Sequence, residues 1–234
     1  MLLSYILFFL LDLTQPVDII IDPGHGGTNF GAIAVDGKTK EKDLTLDLSL
    51  RIKKHLKKLK MSVELTRTED VFLSLYQRSR IAEKFNPACF VSIHFNASVL
   101  HNRKGIEIYH TDRLHAPALG TILSFARNSQ TRLSSSSIVT NSYISDLRKR
   151  NSWEQSRNLA RRLAWRLLGK GYTVDRVAEG TFDVLTGHSS KAILLEAGFL
   201  DHVREGRNVL SPTWRENIAQ VTAEALSTLC RKTP

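Results

Sequence analysis

The sequence predicts a single α/β domain with a mostly parallel central sheet of about six strands and helices on both faces. Short β-branched runs alternate along the chain with segments of helical periodicity, the order that crossover connections between parallel strands require. The 234 residues, 42% of them hydrophobic, are enough for one sizeable core and too few for two full domains. We therefore expect one domain over residues 17–234.

The predicted elements follow one another in an alternating order. In the last helix, Ser211 is the expected N-cap and Pro212 takes the first helical position, with Arg215 and Glu216 facing outward. The strands are predicted over residues 17–22, 62–66, 88–94, 105–110, 182–185 and 192–195, and the helices over 40–60, 74–86, 153–168 and 212–230.

The chain is strongly basic, with a formal net charge of +10 and a pI near 9.8. Such a surface attracts polyanions, among them nucleic acid, anionic lipid and acidic cell-wall polymers. The lysines between residues 53 and 60 lie largely off the apolar stripe of the first predicted helix, which indicates a solvated face. Neither a helix-turn-helix nor a basic patch interleaved with aromatic residues is evident, so we expect no nucleic-acid partner.

Residues 1–16 carry an apolar run from Leu2 to Leu11 that is too short to cross a bilayer but fits the apolar region of a secretory signal. We therefore predict export to the periplasm or cell envelope, with no permanent transmembrane span. No basic residue precedes the run and no small-residue cleavage site follows it. A cleaved leader and a retained anchor both stay open.

The two cysteines are expected to be free thiols. Cys89 lies in an apolar predicted strand and Cys230 near the end of the last predicted helix. With no CxxC motif and no Cys/His cluster, the cysteines indicate neither a redox motif nor a zinc finger.

The segment at about 111–152 breaks the alternation and is expected to be an insertion. It is polar, holds the serine run at residues 134–137, and is long for a plain connection. Its predicted role is a lid over the functional site or a mobile segment.

The stretch IIIDPGHGGTNFG at residues 19–31 delivers a histidine, His25, from a buried strand into a glycine-built turn. The sequence does not match the motifs of other kinds of site. A dinucleotide fingerprint lacks its third glycine, and a phosphate loop ending at Gly37 lacks its first, because Ala32 stands there. GxSxG and HExxH are also absent. A metal site would therefore have to be assembled from distant segments.

Four side chains are expected to meet at the carboxyl edge of the sheet. His25 and His94 follow two strands that should be parallel, Glu41 opens the helix after the first strand, and Glu196 ends an apolar strand. Two imidazoles and a carboxylate are a known set of three zinc ligands, which leaves the fourth coordination position for water. A buried carboxylate such as Glu196 demands a partner, so its presence at the same edge strengthens the prediction.

Several blocks of the sequence together resemble the zinc-dependent N-acetylmuramoyl-L-alanine amidases of the type-three amidase family, from about Ile19 to the end of the chain. The blocks are IIIDPGHGG, KEKDLTLDLSLRI, LTRTED, SLYQRSRIA, CFVSIHFNAS and AILLEAGFL. The resemblance implies a zinc-exopeptidase-like fold, one Zn²⁺ held by His25, Glu41 and His94, and Glu196 as the catalytic residue. The implied reaction is hydrolysis of the amide between N-acetylmuramic acid and L-alanine of the stem peptide, in cell-wall remodelling and division.

The resemblance also implies partners and leaves alternatives open. The substrate would be peptidoglycan or a lipid-linked precursor, and an activating protein of the division apparatus is a further expected partner. Because the 111–152 segment contains no glutamate that could plug the zinc, constitutive activity is expected. The alternative function is a zinc peptidase or carboxypeptidase acting on stem peptides. Further candidates for substrate binding or for support of the zinc ligands are Asn96, Asp22, His188 and Arg67.

Overall fold

The computed structural model describes the backbone of residues 17–112, 135–186 and 190–231, and the side chains of all of these except 135–151. The predicted leader at residues 1–16 and the candidate His188 lie outside the described residues. The strands are β1 (Ile19–Pro23), β2 (Val63–Leu65), β3 (Cys89–Asn96), β4 (Ile106–Thr111), β5 (Val174–Gly180) and β6 (Lys191–Phe199). The helices are α1 (Glu41–Lys58), α2 (Leu75–Phe85), α3 (Ser135–Gly169), α4 (Val203–Leu210) and α5 (Pro212–Leu229), and a 3-10 helix spans Asp183–Leu185.

One six-stranded sheet in the order β2-β1-β3-β6-β4-β5 organises the domain. β1 is parallel to both β2 and β3, and β3 is parallel to β6. β4 runs antiparallel to β6 and parallel to β5. The prediction of a single α/β domain on a mostly parallel sheet of about six strands is confirmed.

The two faces of the sheet bury different amounts of apolar surface. The larger core lies between one face and helices α1, α3 and α5, where Leu48, Ile52, Leu163 and Leu226 are fully or almost fully buried. The smaller cluster lies on the other face, under α2 and the 3-10 helix, around Phe90. The lighter cover on this second face matters because the polar residues of the candidate site lie at its edge.

Most element boundaries match the sequence prediction within two residues, for local reasons. Ser74 caps α2 through a capping box with Gln77, and Ser211 caps α5 by accepting from Trp214 N. The apolar stripe of α1 is buried along its length, as its periodicity predicts.

Four elements differ from the prediction. Residues 182–185, expected as a strand, contain the 3-10 helix instead; Val184 and Leu185 bury themselves there in the smaller cluster. A short apolar run does not by itself distinguish the two structures. β5 was not predicted because it is an edge strand with little apolar alternation, and the short helix α4 was also missed. Helix α3 begins at Ser135, well before the predicted start at residue 153.

Two side-chain expectations were wrong. Arg215 does not face outward: it is buried, and it donates to Asp47 Oδ2 on α1 and to the carbonyl of Val209. Cys89 and Cys230 are not free thiols but form a disulfide with a Cα–Cα distance of 5.4 Å. The packing of α5 against the sheet brings together residues 141 positions apart, which sequence spacing does not reveal.

No helix among the described residues is long and apolar enough to cross a membrane.

The disulfide joins the start of β3 to the end of α5, so it closes a long loop and should restrict the unfolded chain strongly. We expect the double variant Cys89→Ala/Cys230→Ala to lose about 2–5 kcal/mol of unfolding free energy, measured by urea denaturation. Reductant should lower the stability of the wild type and leave the double variant unchanged. Equal stability of the oxidised wild type and the variant would show that the bond does not stabilise the fold.

Candidate metal centre

Three side chains from separate segments converge at the carboxyl edge of the sheet. His25 follows β1, Glu41 is the first residue of α1, and His94 lies near the end of β3. Glu41 Oε1 lies 2.9 Å from His25 Nε2 and 3.0 Å from His94 Nδ1. One ligand atom from each residue lies within 4.8 Å of the other two. The three residues that the sequence placed at this edge therefore meet.

The turn after β1 holds His25 in an uncommon backbone conformation. His25 has φ of 58°, in the left-handed region that non-glycine residues rarely occupy. Arg78 on α2 donates from Nη2 to the His25 carbonyl at 2.6 Å and fixes the turn from below. Asn29 Oδ1 lies 2.9 Å from His25 Nδ1 and orients the ring. The sequence analysis assigned neither residue to the support of His25.

Two glycines leave the space that the converging side chains fill. A Cβ at Gly24 would lie 2.2 Å from His94 Cε1, so only glycine lets that ring approach the turn. Gly31 has φ of 68°, and a Cβ there would lie 2.5 Å from Glu41 Oε2 and 2.7 Å from His25 Cδ2. The glycines of this stretch are therefore requirements of the site as well as of the turn.

The Glu41 carboxylate is buried and accepts on both oxygens. Besides the two imidazoles it takes the backbone N–H groups of Ala32, at 2.9 Å, and Phe95, at 3.1 Å. Burial by itself would raise the pKa of Glu41, but the hydrogen bonds and charges of His25 and His94 outweigh it and bring this pKa to about 2. The centre thus holds a fixed negative charge facing two imidazoles.

The pKa of His25 shifts in the opposite direction. Burial pulls its pKa down, yet the hydrogen bond and charge of Glu41 outweigh the burial and raise it. Both ring nitrogens face oxygen acceptors, Glu41 Oε1 and Asn29 Oδ1. When Nε2 loses its proton, its lone pair is directed at the point of convergence while Nδ1–H stays bonded to Asn29, the tautomer that a metal-binding histidine needs.

This donor set fits a divalent metal ion. Imidazole nitrogens and a carboxylate oxygen are ligands of such ions, and ligands of a tetrahedral site are roughly 3.4 Å apart when the bonds are about 2.0–2.1 Å. The two imidazole nitrogens lie 2.9 and 3.0 Å from Glu41 Oε1, several tenths of an ångström closer than that spacing, and all three ligand atoms lie within 4.8 Å of one another. His25 and His94 each keep a fifth of the side chain exposed, which leaves the centre open on one side.

Glu196 on β6 is the register partner of His94 on β3. The two residues therefore stand side by side on neighbouring strands, and such strands are about 4.8 Å apart. Its Oε2 is shielded from solvent and has no hydrogen-bond partner among the described residues. Burial, together with the charges of Glu41 and Glu107, raises the pKa of Glu196 well above its usual value. A buried carboxyl group with a raised pKa beside a candidate metal centre indicates a functional site.

The row of register partners continues across the sheet to a third carboxylate, which the sequence analysis missed. Glu107 on β4 pairs with Glu196 on one side and with Arg176 on β5 on the other. It is fully buried, and it accepts from the side chains of Asn96, Tyr109 and Arg103. Glu107 was not found because its neighbours depend on the antiparallel register of β4, which spacing along the chain does not indicate.

The remaining residues predicted to bind substrate or to support the zinc ligands differ in how deeply they are buried. Asn96, half-buried at the end of β3, donates to Glu107 next to Glu196. Asp22 lies below the centre, buried, and accepts from Thr66, Ser92 and Arg78. Arg67 is also buried, and it donates to the carbonyls of Pro23, Gly24, Lys42 and Glu69. Asp22 and Arg67 thus contact the chain beneath the turn rather than the open side of the centre.

Comparison with known proteins identifies one family. Residues 19–228 match the family model described as N-acetylmuramoyl-L-alanine amidase. The N-acetylmuramoyl-L-alanine amidase AmiC of Escherichia coli O6:H1 is 28% identical over 215 residues, which cover 88% of this chain and 51% of that protein. A putative N-acetylmuramoyl-L-alanine amidase of Buchnera aphidicola from Acyrthosiphon pisum is 27% identical over 224 residues, covering 88% of this chain and 92% of that protein. The chain thus spans about half the length of the first relative and nearly all of the second.

A solved structure shares the fold. The catalytic domain of CwlV, an N-acetylmuramoyl-L-alanine amidase from Bacillus (Paenibacillus) polymyxa var. colistinus, superposes with a TM-score of 0.69 at 25% identity. The match covers 90% of this chain and 96% of that one. The similarity therefore extends over the whole domain and is not confined to the segments around the centre.

The buried pair between Asp22 and Arg78 supports the turn that carries His25. We expect Asp22→Asn to lower the unfolding free energy by about 3–5 kcal/mol, because Arg78 would keep its charge without a matching anion. Urea denaturation measures the change. Glu64→Gln, which removes a more exposed partner of Lys53, is the matched control and should change stability by less than about 1 kcal/mol. An Asp22 variant with normal stability but lost activity would instead indicate direct contact with substrate.

Proposed function

The chain belongs to the N-acetylmuramoyl-L-alanine amidase family, and from this premise we propose that it hydrolyses the amide between N-acetylmuramic acid and L-alanine of the stem peptide. The substrate is peptidoglycan or one of its precursors. The observation that carries the proposal is the convergence of His25, Glu41 and His94 beside Glu196, whose buried Oε2 has no hydrogen-bond partner among the described residues. A site that activates water next to a proton acceptor suits hydrolysis of an unreactive amide.

We propose that His25, Glu41 and His94 hold one Zn²⁺ ion. Two imidazoles and one carboxylate are the protein ligands of one class of open catalytic zinc site. Bound there, zinc would polarise the scissile carbonyl and lower the pKa of a water molecule. The chain contributes the orientation: Asn29 fixes the tautomer of His25, and the backbone N–H groups of Ala32 and Phe95 fix the Glu41 carboxylate.

Glu196 is the proposed general base and acid. Its carboxylate accepts a proton from the attacking water and then donates it to the nitrogen of the departing L-alanine. Burial raises the pKa of Glu196, which makes its carboxylate a stronger base towards the attacking water. No described residue forms a hydrogen bond with the buried Oε2, so that oxygen has no competing partner there.

The proposed place of action is the periplasm or cell envelope, in cell-wall remodelling and division. The Cys89–Cys230 disulfide supports export, because such bonds form and persist in oxidising compartments. The net charge of +10 supports attraction to anionic wall polymers. An activating protein of the division apparatus remains a predicted partner.

Measurement of zinc binding tests the proposed metal centre. The purified chain loaded with zinc should bind one ion, and His94→Ala or Glu41→Gln should weaken zinc binding at least about tenfold, the loss expected even when a supporting partner of a ligand is removed. Titration calorimetry on the metal-free protein measures the affinity. The control is Glu196→Gln, which should keep the ion because Glu196 is not a ligand. Full zinc affinity in the Glu41 and His94 variants would refute the proposed centre.

Products identify the bond that is cut. With wild type, peptidoglycan should yield free stem peptides that begin with L-alanine, whereas release of D-alanine alone would support a carboxypeptidase. The Glu196→Gln variant should lower kcat by about 10²–10⁴-fold, the range for loss of a general acid–base group. Chromatography and mass spectrometry of the digest measure both results. Normal digestion by a zinc-loaded Glu196→Gln variant would refute the role of Glu196.

A further inference from the structure

The outer side of helix α3 combines exposed apolar and basic side chains near the end of the helix. Trp165 is 70% exposed and Leu168 is 53% exposed, although the other side of the same helix is buried in the larger core. Four basic residues, all exposed, flank them in the sequence. We call this group the basic face: Arg161, Arg162, Trp165, Arg166, Leu168 and Lys170.

Helix geometry places these side chains next to one another. Residues three or four positions apart are neighbours on a helix surface, so Trp165 lies between Arg161 and Leu168. The Arg166 guanidinium lies 5.7 Å from the centre of the Trp165 ring. The side chains that fill the core come from the opposite side of the same turns: Leu159, Leu163 and Leu167. The basic face is therefore a coherent surface that points away from the sheet.

Described carboxylates do not balance the positive charge of the basic face. Its four basic residues form no salt bridge with any described residue. Residues 155–170 contain no Asp or Glu, and Glu154, the nearest acidic residue on α3, lies about two helical turns before Arg161. The charge of the face is thus available to an anionic partner.

The carboxylates on the outer sides of α5 and β5 interact with residues other than the basic face. Glu179 on β5 is the register partner of His110 and forms no salt bridge with the face. The others have partners in the structure: Glu216 pairs with Arg51 and His55, Glu224 accepts from Gln220, and Asp175 pairs with Arg103. The elements packed against α3 therefore leave the charge of the face uncompensated.

The lysines of α1 extend the positive charge over the same side of the domain. Helices α1 and α3 cover the same face of the sheet, and Lys54, Lys57 and Lys58 of α1 are exposed. Helix α1 has no aromatic residue comparable to Trp165. The whole helical layer therefore attracts anions, but the basic face alone adds an exposed indole ring to this charge.

From this combination we infer that the basic face binds the surface of a bilayer that contains anionic phospholipid. Arginine and lysine side chains are attracted to the negative headgroups. Trp prefers the boundary between headgroups and acyl chains, where Leu168 would also leave water. A soluble anionic polymer would match the charges but would offer no apolar phase to Trp165. The contact concerns where the chain is held and does not depend on the proposed reaction.

Co-sedimentation of the full chain with vesicles tests this contact. Wild type should bind vesicles of equal parts phosphatidylglycerol and phosphatidylcholine about tenfold or more tightly than vesicles of phosphatidylcholine alone. Arg162→Gln/Arg166→Gln should lower the affinity for the anionic vesicles about tenfold or more, since each basic residue near such a surface contributes roughly fivefold. The apolar run at residues 2–11 is the same in every variant, so a difference between variants reports on the basic face.

The matched control is Arg80→Gln/Lys84→Gln. It removes the same net charge from exposed residues of α2, which covers the other face of the sheet. Charges on that side lie well beyond the screening length of about 8 Å at physiological salt, so the control should bind within about twofold of wild type.

Tryptophan emission distinguishes a bilayer from a soluble polyanion. Anionic vesicles should shift the emission of wild type to shorter wavelength, because the indole of Trp165 leaves water. The shift should be lost in Trp165→Ala, which keeps Trp153 and Trp214. Since Trp165 is exposed, this variant should keep wild-type stability in urea. Polyglutamate, a soluble polyanion, should cause no shift.

The inference is overturned if wild type binds neutral and anionic vesicles equally, if the double arginine variant binds as wild type does, or if the α2 control loses as much affinity. Wild type that binds polyglutamate as tightly as anionic vesicles, with no shift of its emission on the vesicles, would indicate a contact with a polymer and would also refute the bilayer.

Discussion

The buried carboxylate of Glu41 is the interaction on which the rest of the candidate site depends. An ionised carboxylate is costly to remove from water unless hydrogen bonds and opposite charge compensate for it. Here two imidazoles and two backbone N–H groups do so, and they come from the turn after β1, the loop before α1 and the end of β3. One side chain thus fixes the relative positions of three segments. The arrangement leaves a strongly anionic point facing two nitrogens that can also bind a cation.

The sheet register extends this arrangement across the domain. Because partners on neighbouring strands lie side by side, His94, Glu196, Glu107 and Arg176 form one row on the same face. Buried Glu107 is stabilised by Asn96, Tyr109 and Arg103, so the row is held without a polar contact from any described residue to Glu196 Oε2. These contacts therefore fix the surroundings of Glu196 without using its buried Oε2.

The sequence alone predicted the fold class and the four residues at the carboxyl edge, because each of them follows a strand or opens a helix that periodicity identifies. His25, Glu41 and His94 needed only the rule that parallel strands end at the same edge. Asn29 and Arg78 were not recognised as supports of His25, since their contacts depend on how a turn and a helix pack. Glu107 depends on the antiparallel placement of β4, and the disulfide joins residues 141 positions apart. These features arise from tertiary packing, which local patterns do not encode.

The most direct test of the central claim is an X-ray absorption spectrum of the zinc-loaded protein at the zinc edge. The account predicts two imidazole nitrogens and one or more oxygens at about 2.0–2.1 Å in a four-coordinate site, with the imidazole signal reduced in His25→Ala. A spectrum with sulfur ligands, or with oxygen ligands alone, would contradict the convergence of His25, Glu41 and His94 on one ion.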